Sequence, residues 1–144
     1  DPNGKFVFID NGAICHAPKK VAHALFHFFD HLSRQEMQQA FDALLAMTEV
    51  NPTPKKLAKY YSTMTEIYTD FEKKPVGEQS LTRIMMKTVK AAVEHAGAIF
   101  GEEAFPIIRA LMYLDGLVIR THPDALLIQS MGPFLEEFQT KLNI

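Results

Sequence analysis

From Ala17 to the end of the chain, apolar residues recur with the period of a helix, segment after segment. That patterning leaves helix-on-helix packing as the main way to bury them. Val21, Leu25, Phe28, Phe29 and Leu32 share one face of a helix expected to begin near Pro18. Proline suits a first turn because its missing N–H would be unpaired there anyway. Ser33-Arg34-Gln35-Glu36 reads as a capping box opening a second helix, with Met37, Phe41, Leu44 and Leu45 as its apolar face. Asn51-Pro52-Thr53-Pro54 ends that helix and starts a third, with Thr53 as N-cap and Leu57, Tyr60, Tyr61, Met64, Tyr68 and Phe71 facing inward. After Lys74-Pro75-Val76-Gly77, Ser80 caps a fourth helix carrying Leu81, Ile84, Met85, Val89, Ala92 and Val93. It ends between Gly97 and Gly101. A fifth runs from Glu102 or Phe105 to Arg120 with Ile107, Ile108, Leu111, Leu114 and Val118, and Thr121-His122-Pro123-Asp124 breaks it. A last helix is expected from Pro133 to Leu142 with Phe134, Leu135 and Phe138.

Ahead of the helices, Lys5-Phe6-Val7-Phe8-Ile9 is short, β-branched and aromatic, between Asn3-Gly4 and Asn11-Gly12. It reads as a strand. The expected fold is therefore mainly α, about six helices behind one short N-terminal strand or hairpin, in a single helical domain over residues 1–144. A chain of 144 residues buries one core and roughly 68–70% of its unfolded surface. With 47% apolar and 22% charged residues, general disorder is excluded. The net charge of −2 makes nucleic acid a poor partner.

Cys15 is the single cysteine, so no internal disulfide and no multi-thiolate zinc site can form. Its solitude fits a reducing intracellular compartment, the cytoplasm or the mitochondrial matrix. The most apolar run, Ile107 to Ile119, is interrupted by Arg109 and Asp115 and is too short for a membrane span. No basic segment followed by an apolar one opens the chain, so no signal peptide is expected. Asp1-Pro2-Asn3-Gly4 is loop chemistry, and the chain is expected to be part of a longer one.

Candidate chemistry is sparse. Asp10 stands just past the strand, where a carboxylate can hold a divalent cation while Gly12 lets the backbone turn. The same Asn11-Gly12 pair is the strongest short hairpin signal, with Ala13 to His16 as a return strand, and both readings stand. His23, His27 and His31 are spaced by four, within metal-ligand reach of one another, but lie opposite the apolar face and read as solvated. Only Asp30 offers a further ligand. Tyr60, Tyr61, Tyr68 and Phe71, and Met85, Met86, Met112 and Met131, read as core stripes, with a lipid or quinone pocket as the minority reading. Lys55, Lys56 and Lys59 read as solvated, and Cys15 as a buried inert thiol. No phosphate-cradling glycine loop and no Gly-x-Ser-x-Gly elbow occurs.

The run Gly4-Lys5-Phe6-Val7-Phe8-Ile9-Asp10-Asn11-Gly12-Ala13 resembles the metal-binding segment of the UbiB/ADCK family of atypical protein-kinase-like proteins, where a glycine, a basic residue and apolar residues lead into Ile-Asp-Phe-Gly. Arg109-Ala110-Leu111-Met112-Tyr113-Leu114-Asp115-Gly116-Leu117-Val118-Ile119-Arg120-Thr121-His122-Pro123-Asp124 is similar to that family's closing helix. The resemblance implies the C-terminal portion of a kinase-like C-lobe. The parent would bind Mg-ATP and act in ubiquinone or related isoprenoid-lipid metabolism near a membrane surface. Asp10 would be a metal ligand and Gly12 a cofactor-binding hinge. Asn11 departs from the family's phenylalanine. The family's N-lobe, nucleotide-gripping lysine and catalytic loop have no counterpart in this sequence. Phosphoryl transfer needs those groups together, so the chain alone is expected to be non-catalytic and to hold Mg-ATP weakly at most. Expected partners are the missing N-terminal part of the parent, or a second copy paired through the Lys5 to Ile9 strand, with lipid or membrane-surface contact and no nucleic acid. The rival reading is a stand-alone helical binding or interaction module, with Tyr60, Tyr61, Met64 and Tyr68 lining a pocket or partner groove.

Overall fold

Helical periodicity is realised as six α-helices in a computed structural model that describes residues 17–49 and 52–142. They are α1 (Lys19–Ser33), α2 (Met37–Ala46), α3 (Pro54–Ile67), α4 (Leu81–Ala91), α5 (Ala104–Thr121) and α6 (Leu127–Leu142). A 3₁₀ turn (Phe71–Lys73) follows α3, and a π turn (Ala92–Ala96) extends α4 until Gly97 ends it in the left-handed region at φ 71°. Among the described residues there is no strand. The Lys5 to Ile9 strand, the Asn11-Gly12 turn and Cys15 lie outside them.

The expected capping box at Ser33 is not what the chain builds. Ser33 is the last residue of α1, and its hydroxyl donates back to the Asp30 carbonyl at 2.7 Å. Gln35 takes φ 61°, its N–H bonds Leu32 O at 3.1 Å, and Glu36 N–H bonds His31 O at 2.8 Å. This pair of bonds is a Schellman closure, usually made by glycine. It satisfies the last carbonyls of α1 and turns the chain sharply into α2. The Glu36 carboxylate reaches His31 Nδ1 at 2.6 Å rather than the Ser33 N–H. Thr53 and Pro54 do start α3 as expected, although the Thr53 side chain makes no cap bond.

The core lies among α1, α2, α3 and the α4–π segment. Tyr60, Met64, Ala40 and Ala92 are fully buried, and Phe41 and Leu32 nearly so. Each large apolar side chain buried there contributes about 1.5–3 kcal/mol. Tyr60 reaches the core centre because its hydroxyl donates to the Phe41 carbonyl at 3.0 Å, so no polar atom is stranded. Small residues Ala91, Ala92 and Ala96 let α3 pack closely on the π turn. Phe28, Phe41 and Phe71 surround Tyr68 edge-on or tilted, with centroids 5.2–6.3 Å away.

The last third of the chain is held differently. Val76 N–H bonds Ala125 O at 3.0 Å and Gly77 N–H bonds Pro123 O at 2.8 Å, clasping the loop before α4 to the α5–α6 connection. A Cβ on Gly77 would meet Pro123 at 3.0 Å, so the close approach requires glycine. Helix α6 starts at Leu127, six residues before the expected Pro133, which instead sits inside it. Ile128, only 4% exposed, and Met131 pack on the core and extend the helix upstream, outweighing the one backbone bond that Pro133 forfeits.

Candidate functional site

Three apolar stripes meet without closing. On α1 they are the residues whose spacing marked one face: Val21, Leu25, Phe28, Phe29 and Leu32. On α4 they are Leu81, Ile84, Met85, Thr88 and Val89, and on α5 Ala104, Ile107, Ile108 and Leu111. Each set follows the i, i+3, i+4, i+7 pattern that puts side chains on one helix face. Helix α5 leans on α4 rather than on α1, so the α1 and α5 stripes face each other across a gap. The gap is a cavity of about 80 Å³ that opens to solvent. Tyr68, Phe71, Leu44, Met47 and Ile128 form its floor, and Phe100, Gly101 and Glu103 its rim.

The walls are chemically quiet. Thr88 Oγ donates to Ile84 O at 2.9 Å, which leaves its lone pair to accept the Tyr68 hydroxyl at 3.0 Å. Among the described residues no buried side-chain nitrogen or oxygen lacks a partner. Burial pushes the Tyr68 phenol up to about 12. Tyr60 is also raised, first by burial and then by its tyrosine neighbours. Tyr61 is pushed up to about 12 by desolvation and by Asp42, which accepts its hydroxyl.

The core reading of the aromatic stripe holds for Tyr60, Tyr68 and Phe71, which are buried, while of the four residues expected around a pocket one lines the cavity. Tyr68 lines the cavity, whereas Tyr60 and Met64 lie fully buried behind it and Tyr61 faces Asp42. Of the methionines, Met85 lines the cavity and Met131 packs on the core, but Met86 and Met112 are 52% and 40% exposed. Lys55, Lys56 and Lys59 are exposed, as their pattern suggested. Asp10 and Gly12 lie outside the described residues.

The histidine column is not gathered for a metal. His23 is exposed, His27 stacks on His31 at 6.0 Å, and His31 pairs with Glu36 across the α1–α2 turn. Asp30, the one further ligand in reach, is buried and pairs with Arg34 at 3.1 Å. Among the described residues no group of three or more His, Cys, Asp or Glu side chains could hold a metal ion. The solvated reading needs correcting at His31, which is bonded. His23→Gln is expected to change stability by under ~0.5 kcal/mol. His31→Gln, which loses Glu36, is expected to cost about 1 kcal/mol. Urea denaturation of the two variants checks this, and a zinc-dependent rise in the midpoint would restore the column as a metal site.

Sequence reasoning missed Asp115. It is 5% exposed on α5, and its carboxylate sits at the start of α4. It accepts from Leu81 N–H at 3.2 Å, Thr82 N–H at 2.9 Å, Thr82 Oγ at 2.7 Å and Ser80 Oγ at 3.3 Å. Ser80 Oγ in turn accepts from Arg83 N–H, the expected cap. Asp115 thus satisfies first-turn donors that α4 cannot satisfy itself, and meets the positive end of its dipole. This joint fixes one wall of the cavity against another. The only sequence signal was an acid inside an apolar run, which reads equally well as a solvated position.

Among the described residues no helix is long and apolar enough to cross a membrane. Comparison with known protein families, with curated proteins and with solved structures finds no match.

Proposed function

We propose that this chain is the helical C-terminal portion of a kinase-like domain of the UbiB/ADCK type, and that it scaffolds the parent without transferring phosphate itself. The observation that carries this reading is the uncovered face of α5, which holds most of the Arg109 to Asp124 run. Phe105, Tyr113, Leu114 and Leu117 are 50–73% exposed there, and Phe134 and Phe138 of α6 are exposed as well. Apolar surface on this scale supports a partner that covers it, and the rest of a larger domain is such a partner. In that parent, Asp10 would hold the metal of Mg-ATP beside Gly12, and isoprenoid-lipid metabolism at a membrane surface would be the setting.

Sequencing the transcript upstream of Asp1 tests the reading. A catalytic loop of the His-x-Asp-Pro-x-x-x-Asn kind supports it, and an initiator methionine just before Asp1 overturns it. In the full-length protein, Asp10→Asn is expected to weaken Mg-dependent nucleotide binding at least about tenfold by removing the ligand charge. Calorimetric titration with Mg-ATP measures this, and unchanged binding removes Asp10 from the site. A stand-alone binding module is the second reading, and the cavity between α1, α4 and α5 is the observation that favours it.

A further inference from the structure

The cavity carries an inference that rests on the binding-module reading and on its own lining. We infer that it binds an uncharged aliphatic chain whose head carries a hydrogen-bond donor. Three features define that ligand.

The first is the wall. It is aliphatic and aromatic, and its hydroxyls on Tyr68 and Thr88 are engaged with each other and with Ile84 O. Such walls replace little of the water that a polar group drawn inside would lose. Hydrocarbon is what this space accepts. The second feature is size. An unfilled cavity of about 80 Å³ destabilises the fold in proportion to its volume, and an occupant recovers that loss. Apolar cavities of about 150 Å³ stay dry and take up benzene or xenon, and here the open mouth gives a longer chain a way in.

The third feature is the rim. Among the described residues Glu103 is the one charged residue lining the cavity, half-buried, and no hydrogen bond or ion pair holds its carboxylate. That carboxylate lies where a Cβ on Gly101 would be, so the glycine makes room for it beside the opening. A negative charge there repels the head of a fatty-acid anion and accepts a hydrogen bond from an alcohol or amide. Apolar walls and a carboxylate rim together favour the neutral amphiphile over the acid of equal length.

The test titrates the chain with 1-decanol and with decanoate at neutral pH, followed by calorimetry and thermal denaturation. 1-Decanol is expected to bind and raise the melting temperature, with decanoate at least about tenfold weaker. Ala104→Phe, which fills the cavity from the first turn of α5, should abolish decanol binding while the helical circular-dichroism signal is kept. Glu103→Gln should bring the two ligands within about threefold of each other. Methyl NMR on the unsubstituted chain is a second readout, with shifts expected at Val89, Ile107 and Ile108. Absence of decanol binding, shifts elsewhere, or full binding to a folded Ala104→Phe variant overturns the site. Equal or tighter binding of decanoate overturns the role of Glu103 and the uncharged class. None of these outcomes bears on the upstream sequence, so the two proposals fail separately.

Discussion

Raising the pH from about 9 to about 12 is expected to unfold the protein in one cooperative step, with phenolate absorbance and loss of helical circular dichroism rising together. The buried tyrosines are the cause. Tyr68 has its phenol pushed from 10.0 up to about 12 by burial, and Tyr60, fully buried, is raised further in the same direction. A group whose folded pKa is raised contributes stability that is fully present below its unfolded value. That contribution is lost as pH climbs through the folded value, because the unfolded chain releases the proton first. The shift at Tyr68 corresponds to about 2–3 kcal/mol, and Tyr60 adds to it. Tyr61 is too solvated to contribute on that scale. Tyr68→Phe removes one titrating phenol and leaves Thr88 bonded to Ile84 O, so it should flatten the alkaline loss measurably. Ionisation of all four tyrosines with an unchanged helical signal would contradict the assignment.

Asp115→Ala is expected to cost about 3 kcal/mol, most of it felt by α5. The substitution strips partners from Leu81 N–H, Thr82 N–H and Thr82 Oγ together, and hydrogen bonds to a charged acceptor contribute about 1.5–3 kcal/mol each before water replaces them. Asp115→Asn should not rescue it, since the amide turns an N–H₂ toward groups that are themselves donors. Helix α5 packs chiefly on α4, so this joint governs whether it stays docked. Native-state hydrogen exchange should show α5 amides exchanging faster while Phe41 and Tyr60 keep their protection. A loss below about 1 kcal/mol in urea denaturation would mean that water replaces the carboxylate without penalty.

Residue patterns alone determined the helices. The stripe Val21, Leu25, Phe28, Phe29 and Leu32 was legible because a helix face recurs every three or four positions whatever it later packs against. The same locality made Ser80 readable as a cap, and Thr53-Pro54 as a helix start. Local reading failed where a competing partner outbid the expected one. Glu36 paired with His31 instead of closing a box on Ser33, and burial of Ile128 carried α6 upstream through Pro133. Leu114 shared a stripe with Ile107 and Leu111 yet ends 54% exposed, because α5 is covered along one narrow flank only. Spacing could not say which stripes would meet, nor that three of them would leave a hollow. That depends on how helices lean on one another, and here the lean is set by Asp115 reaching across 33 residues to Thr82 and by Gly77 clasped to Pro123. Helix formation follows from contacts three or four residues apart, so the sequence carried it. The cavity and the Glu103 carboxylate at its rim arise from contacts between segments far apart in the chain, so only the tertiary structure decided them.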